Sequence, residues 1–132
     1  MKPDLLKLNN KFIDTGTISS TDLDIFADNN FSSIDSSTGN EVFMVARQSA
    51  RWLLRGLKHE PLTEAQAKRV MRLKEVYAYH GSKTNFSKKP VIIDKSSCTL
   101  KDGIVRLYAV ALMRVDNPSW RVSLPILFEG EY

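Results

Sequence analysis

At 132 residues, 42% hydrophobic and 26% charged, the chain is the size of one domain with one core, and it contains no apolar run long enough to span a membrane. A single cysteine, Cys98, excludes an internal disulfide and places the chain in a reducing compartment; with no long apolar core in Met1–Lys7, the expected setting is the cytoplasm. The net charge of +4 is uneven: residues 1–40 carry three Lys against six Asp, and residues 41–90 carry eleven Lys and Arg against four Glu. A basic middle segment points to nucleic acid or an acidic protein as partner.

Leu5, Leu6 and Leu8 can begin a helix or a strand, and Lys11 to Ile18 reads as a short strand interrupted at Thr15-Gly16. Ser20-Thr21-Asp22 reads as the cap of a short helix through Ala27, stopped by Asn29-Asn30. The Ser-rich run Phe31 to Asn40, ending in Thr38-Gly39-Asn40, reads as a loop. It separates an N-terminal extension, residues 1–40, from the body of the domain, residues 41–132.

Glu41 to Lys58 reads as the clearest amphipathic helix, with Phe43, Ala46, Ala50, Leu53 and Leu57 at helical spacing. Opposite them run Arg47, Arg51, Arg55 and Lys58, nearly one basic line that could track phosphates or an acidic surface, or merely shield the apolar stripe. A break at Glu60-Pro61 precedes Thr63-Glu64-Ala65-Gln66, a capping box with Thr63 as cap. The helix it opens places Ala67, Val70, Leu73 and Tyr77 toward the core and ends near His80-Gly81. Lys68 and Arg72 on this helix join the basic set as candidate contacts to nucleic acid or a partner.

Pro90 to Leu112 holds the chemistry. Val91 to Ile93 is a strand, Asp94 to Ser97 a turn, and a second short strand carries Cys98, read as a buried, inert thiol. Asp102-Gly103 then opens a helix, with Asp102 as the simplest N-cap. Free N–H groups in that first turn favour an anion, and the two-pronged guanidinium of Arg106 can reach the same point. Trp120 to Phe128 reads as a last strand with Pro125 inside it, placed at a sheet edge or broken there; Glu129 to Tyr132 reads as a frayed tail. His59 and His80 lack carboxylate or cysteine neighbours at ligand spacing, so no metal site is expected.

The block Pro90-Val-Ile-Ile-Asp followed by Leu100-Lys-Asp-Gly-x-x-Arg-Leu-x-Ala resembles the core of the ParB/sulfiredoxin-like superfamily. It is closest to the phage and plasmid branch that carries Leu-x-Asp-Gly-Gln-His-Arg-Leu-x-Ala. The matching positions are Leu100, Asp102, Gly103, Arg106, Leu107 and Ala109. The resemblance implies a nucleotide as ligand, its phosphates bound at Lys101, Asp102, Gly103 and Arg106, and a phage or mobile-element origin linked to DNA. Ile104 and Val105 stand where the superfamily has polar residues, so neither the sulfiredoxin cysteine nor the partition-protein glutamate is present, and no sulfinic-acid reductase activity is expected.

These readings together give an α+β fold: a small mixed β-sheet flanked by helices, a ParB/sulfiredoxin-like core with a helical N-terminal extension. Three functions stay open. The first is a nucleotide- or phosphate-binding module associated with DNA. A second is a core without catalysis that acts as a protein-interaction module or inhibitor through its basic helices. An enzyme acting on a phosphorylated substrate ranks last, because no general base lies between Gly103 and Arg106.

Overall fold

The computed structural model describes residues 4–81 and 89–130. Among these the order is α1 (Leu5–Lys11), α2 (Ser20–Asn30), β1 (Phe31–Ile34), β2 (Glu41–Ala46), α3 (Arg47–Gly56), α4 (Glu64–His80), β3 (Val91–Asp94), β4 (Thr99–Asp102), α5 (Ile104–Leu112) and β5 (Arg121–Glu129). The fold is α+β, and the strands form one mixed sheet in the order β1-β2-β5-β3-β4. β5 is its spine, antiparallel to β2 and parallel to β3.

The centre of the domain is α5. Leu107, Tyr108, Ala109, Val110 and Ala111 are all buried, as expected of a helix whose one charged residue is Arg106 in its first turn. It packs on α3, α4 and β2. The sheet answers with Phe43 and Val45 of β2, Val91 and Ile93 of β3, and Val122, Leu124 and Ile126 of β5, all buried. This alternation is the period of two that pleated strands impose.

The N-terminal extension is part of the same core. Leu8, Phe12, Ile18, Leu23 and Phe26 belong to one buried cluster with α3, α4 and α5. Asn9 clamps the chain before α4, donating to Leu62 O at 3.2 Å and accepting from Leu62 N at 2.8 Å. Residue 40 falls inside the β1–β2 hairpin, which Asp35 N closes onto Asn40 O at 2.8 Å.

Several sequence readings are corrected here. Glu41 to Lys58 is a strand followed by a shorter helix, because Val42 to Ala46 pairs along β5 and Glu41 to Phe43 pairs with β1 on the other side. Phe31 to Ile34 is a strand, not the start of a loop. The expected strand at Lys11–Ile18 is instead the end of α1 followed by irregular chain that caps α3, with Thr15 N and Oγ1 both on Arg55 O, at 2.6 and 2.9 Å. α2 is capped by Ser19, one residue earlier than read, in a reciprocal box with Asp22, and it runs on through Asn30, whose side chain donates to Phe26 O at 2.8 Å.

Pro125 is inside a central strand, not at an edge. The β2 ladder ends at the pair Val42↔Pro125 and the β3 ladder begins one residue on, at Val91↔Ile126. The residue that lacks an N–H therefore marks the place where β5 changes partner. Glu129 is the end of β5, its carbonyl accepting from Lys95 N at 2.7 Å, so it is no part of a frayed tail; residues 131–132 of that reading lie outside the described residues.

Other local readings match the structure. Thr63 and Gln66 form the reciprocal capping box, with bonds of 2.9 and 3.2 Å, and α4 ends at Gly81, whose φ of +58° is a conformation that glycine adopts without a Cβ penalty.

Candidate anion-binding notch at the start of α5

The turn from β4 into α5 requires Gly103. Its φ is +94°, and a Cβ there would sit 2.9 Å from the Val91 Cα and 2.7 Å from its Cγ2. Glycine is thus demanded twice, by a left-handed backbone and by close approach to β3. Gly103, not Asp102, is the N-cap residue, and α5 has no side-chain cap. Asp102 closes β4, and its Oδ1 accepts only the Gly103 N–H, at 2.8 Å. The first turn of α5 is left without a capping side chain, the condition in which a helix N-terminus attracts an anion.

Arg106 stands one turn in, half-buried. Its guanidinium donates to Lys89 O and, at 3.2 Å, to Pro90 O, tying α5 to the start of β3. Burial pushes its pKa below the ordinary value, opposed by Tyr77 and Asp102. Tyr77 beside it is itself pushed up to about 12 by burial and stays a neutral phenol at physiological pH. The sequence reading gave Arg106 no part in the fold; the structure makes it a strut as well as a cation.

Around this turn lies a notch of about 240 Å³, lined by Gln66 and Arg69 of α4, Lys89, and residues 102–106. Three cationic residues, Arg69, Lys89 and Arg106, thus line a notch beside an uncapped helix N-terminus, with Asp102 as the one acid. A shallower groove of about 470 Å³ continues from it along α4 and α5, sharing Arg69, Val105 and Arg106 and adding Arg72, Leu73 and Val76. Lys101 does not line the notch; it pairs with Glu129 at 3.3 Å.

The basic row is divided. Arg51 Nε donates to Ala111 O at 2.9 Å and Arg47 Nη1 to Met113 O at 3.4 Å, so both arginines serve the C-terminal end of α5, whose last turn has no basic residue of its own. Burial, then Arg47 and Arg55, lowers the Arg51 pKa. Arg55 lies over the Phe12 ring at 5.4 Å. Lys58 falls beyond the end of α3, where its main chain bridges to β4 through Cys98 O at 3.0 Å and Leu100 N at 2.8 Å. Lys68 and Arg72 are exposed on α4, and of the two only Arg72 lines the groove.

Arg69 and Lys89 were not among the site candidates read from sequence, and Gln66 was read only as part of the α4 cap. Arg69 and Gln66 meet the motif because α4 lies against α5, and Lys89 because it leads into β3 beside Arg106, contacts that no local pattern reports.

The remaining candidates hold structural positions. Cys98 lies in the turn before β4, not on the strand, at φ +53°, half-buried with its Sγ 3.6 Å from Lys95 O. The His59 ring nitrogens face Leu54 O at 2.7 Å and Glu60 O at 3.2 Å. Among the described residues no helix is long and apolar enough to cross a membrane. No family model matches this chain, and no curated protein and no solved structure matches it at a significant level.

Proposed function

We propose that this protein is a non-catalytic phosphate-binding module of ParB-like type, holding the phosphates of a nucleotide in the notch at the start of α5 and working beside DNA in a phage or other mobile element. The observation that carries this reading is that Arg69, Lys89 and Arg106 line one notch with a helix N-terminus that no side chain caps. An anion there meets backbone N–H groups, the positive end of the helix dipole and neighbouring basic residues at once. Catalysis does not belong to the proposal, because Ile104 and Val105 supply no acid, base or nucleophile. The reading as an interaction module built on the basic helices is weaker, because Arg47 and Arg51 are bonded to the end of α5.

Arg69 is the residue to test, since it is exposed on α4 and carries none of the carbonyl contacts that make Arg106 part of the fold. A nucleoside triphosphate at about a hundred times its dissociation constant should stabilise the chain by ~2.7 kcal/mol, a rise of several degrees in melting temperature. Arg69→Glu should abolish that rise and leave the ligand-free melting temperature within about a degree of wild type. Absence of any shift with millimolar nucleoside triphosphates or inorganic phosphate, or a shift that survives Arg69→Glu, overturns the proposal.

A further inference from the structure

A cavity of about 570 Å³ lies at the far end of α5 from the notch and shares no residue with it. Its wall is assembled from four parts of the chain: Arg47 at the start of α3, Ala78 near the end of α4, residues 114–117 after α5, and Trp120 just before β5. Arg47 is far from Trp120 in sequence, and only the fold sets an aromatic ring beside it and Arg114 in one cavity.

Trp120 is half-buried and held in place by the fold itself. Its Nε1 donates to Tyr77 O at 3.0 Å, and its ring lies so close over Gly81 that a Cβ there would be 2.4 Å from the ring carbons Cε2 and Cζ2. Arg47 spends Nη1 on Met113 O at 3.4 Å, which leaves the other N–H donors of its guanidinium for the cavity. Arg114 and Asp116 are exposed, and neither side chain makes a hydrogen bond or ion pair among the described residues. Asn117 is bound into its own turn, its Oδ1 accepting from Ser119 N and Oγ at 2.9 and 2.6 Å. The cavity therefore offers a fixed aromatic wall, two cations and one carboxylate.

We propose that this cavity takes an unstacked base of a single-stranded nucleic acid. The base lies on the Trp120 ring, Asp116 accepts an N–H from its pairing edge, and Arg47 and Arg114 take the flanking phosphates. Every base has a flat face, so the site tolerates many sequences, and a ring already fixed by Tyr77 and Gly81 loses little freedom on binding. A duplex is the wrong ligand, because its bases are stacked and paired and cannot enter. An acidic polypeptide matches the two arginines but brings no flat group to Trp120 and sets its carboxylates against Asp116. The inference does not depend on the nucleotide reading of the notch.

The chain has 2 tryptophans, so Trp52→Phe, which keeps an aromatic ring on α3, leaves Trp120 as the single reporter. The test titrates this full-length variant with oligo-dT and oligo-rU strands of about 15 nucleotides and follows tryptophan emission. Each strand should quench Trp120 saturably, with an affinity that falls as salt is raised. Arg114→Glu, an exposed change, should weaken binding at least tenfold, and Arg114→Ala should lower the salt slope by about 0.7. Arg69→Glu in the notch should leave both unchanged. The proposal is overturned if neither strand quenches, if a dT·dA duplex or free thymidine monophosphate quenches at the same concentrations, or if polyglutamate displaces the strand as well as excess strand does. It is equally overturned if Arg114→Glu has no effect, or if Arg69→Glu abolishes the quenching and so places the strand in the notch.

Discussion

Gly103 shows how a single position can serve fold and site together. Its positive φ lets the chain leave β4 and enter α5 in one residue, and its missing side chain lets β3 close on the turn. Gly103→Ala should cost ~2–4 kcal/mol, since a Cβ introduces both left-handed backbone strain and a contact with the Val91 backbone that no rotamer relieves. Urea unfolding measures this, and a loss below about 0.5 kcal/mol would show that strand and turn give way freely. Residues whose role is settled by their immediate neighbours were legible in the sequence, as with Thr63, Gln66 and Gly81. Asp102 was misread because a helix after a strand has two ways to start, a capping carboxylate or a left-handed glycine, and both residues stand side by side.

Among the elements, the service that α3 gives to α5 was hidden from sequence. α5 is too apolar to carry its own C-terminal cation, and Arg51 and Arg47 supply one from the neighbouring helix. Arg51→Ala should lower stability by about 1–2 kcal/mol, the scale of a partly exposed, charge-assisted bond to a helix end, while Arg55→Ala on the same helix should cost less than about 1 kcal/mol. Equal losses in thermal unfolding would reduce Arg51 to an ordinary surface residue. The split of Glu41–Lys58 into strand and helix has a related cause. Phe43, Ala46 and Ala50 fit a helical period while Phe43 and Val45 fit a strand, and Ala46 gives no capping signal between them. Partners on either side, β1 and β5, decide for the strand. β1 then follows, since a strand exposed at every position shows no periodicity and is recognised only by its pairing.

For the molecule as a whole, the buried tyrosines set an alkaline limit. Tyr77 and Tyr108 are each pushed by burial from 10.0 up to about 12, so folding favours the neutral phenol. A folded pKa raised above the unfolded one gives stability that is complete below pH 10 and is lost as the pH climbs from 10 to about 12. Denaturant titrations across that window should show stability falling by up to about 3 kcal/mol per tyrosine, with Tyr77→Phe flattening the decline. A decline unchanged by that substitution would place the titrating group elsewhere. What the sequence by itself determined was local: the α+β class, the capped α4, the strand at Val91, the turn after it, and the glycine–arginine turn that opens α5. Hydrogen bonds and dihedral preferences acting over a few residues are enough for these. Only the tertiary structure decided that β5 is central, that Arg47 and Arg51 of α3 serve the end of α5, and that Arg69 and Lys89 line the notch at its start. Each of these depends on which surfaces meet when one apolar core is closed, and a contact between residues far apart in the chain leaves no periodic trace in either of them.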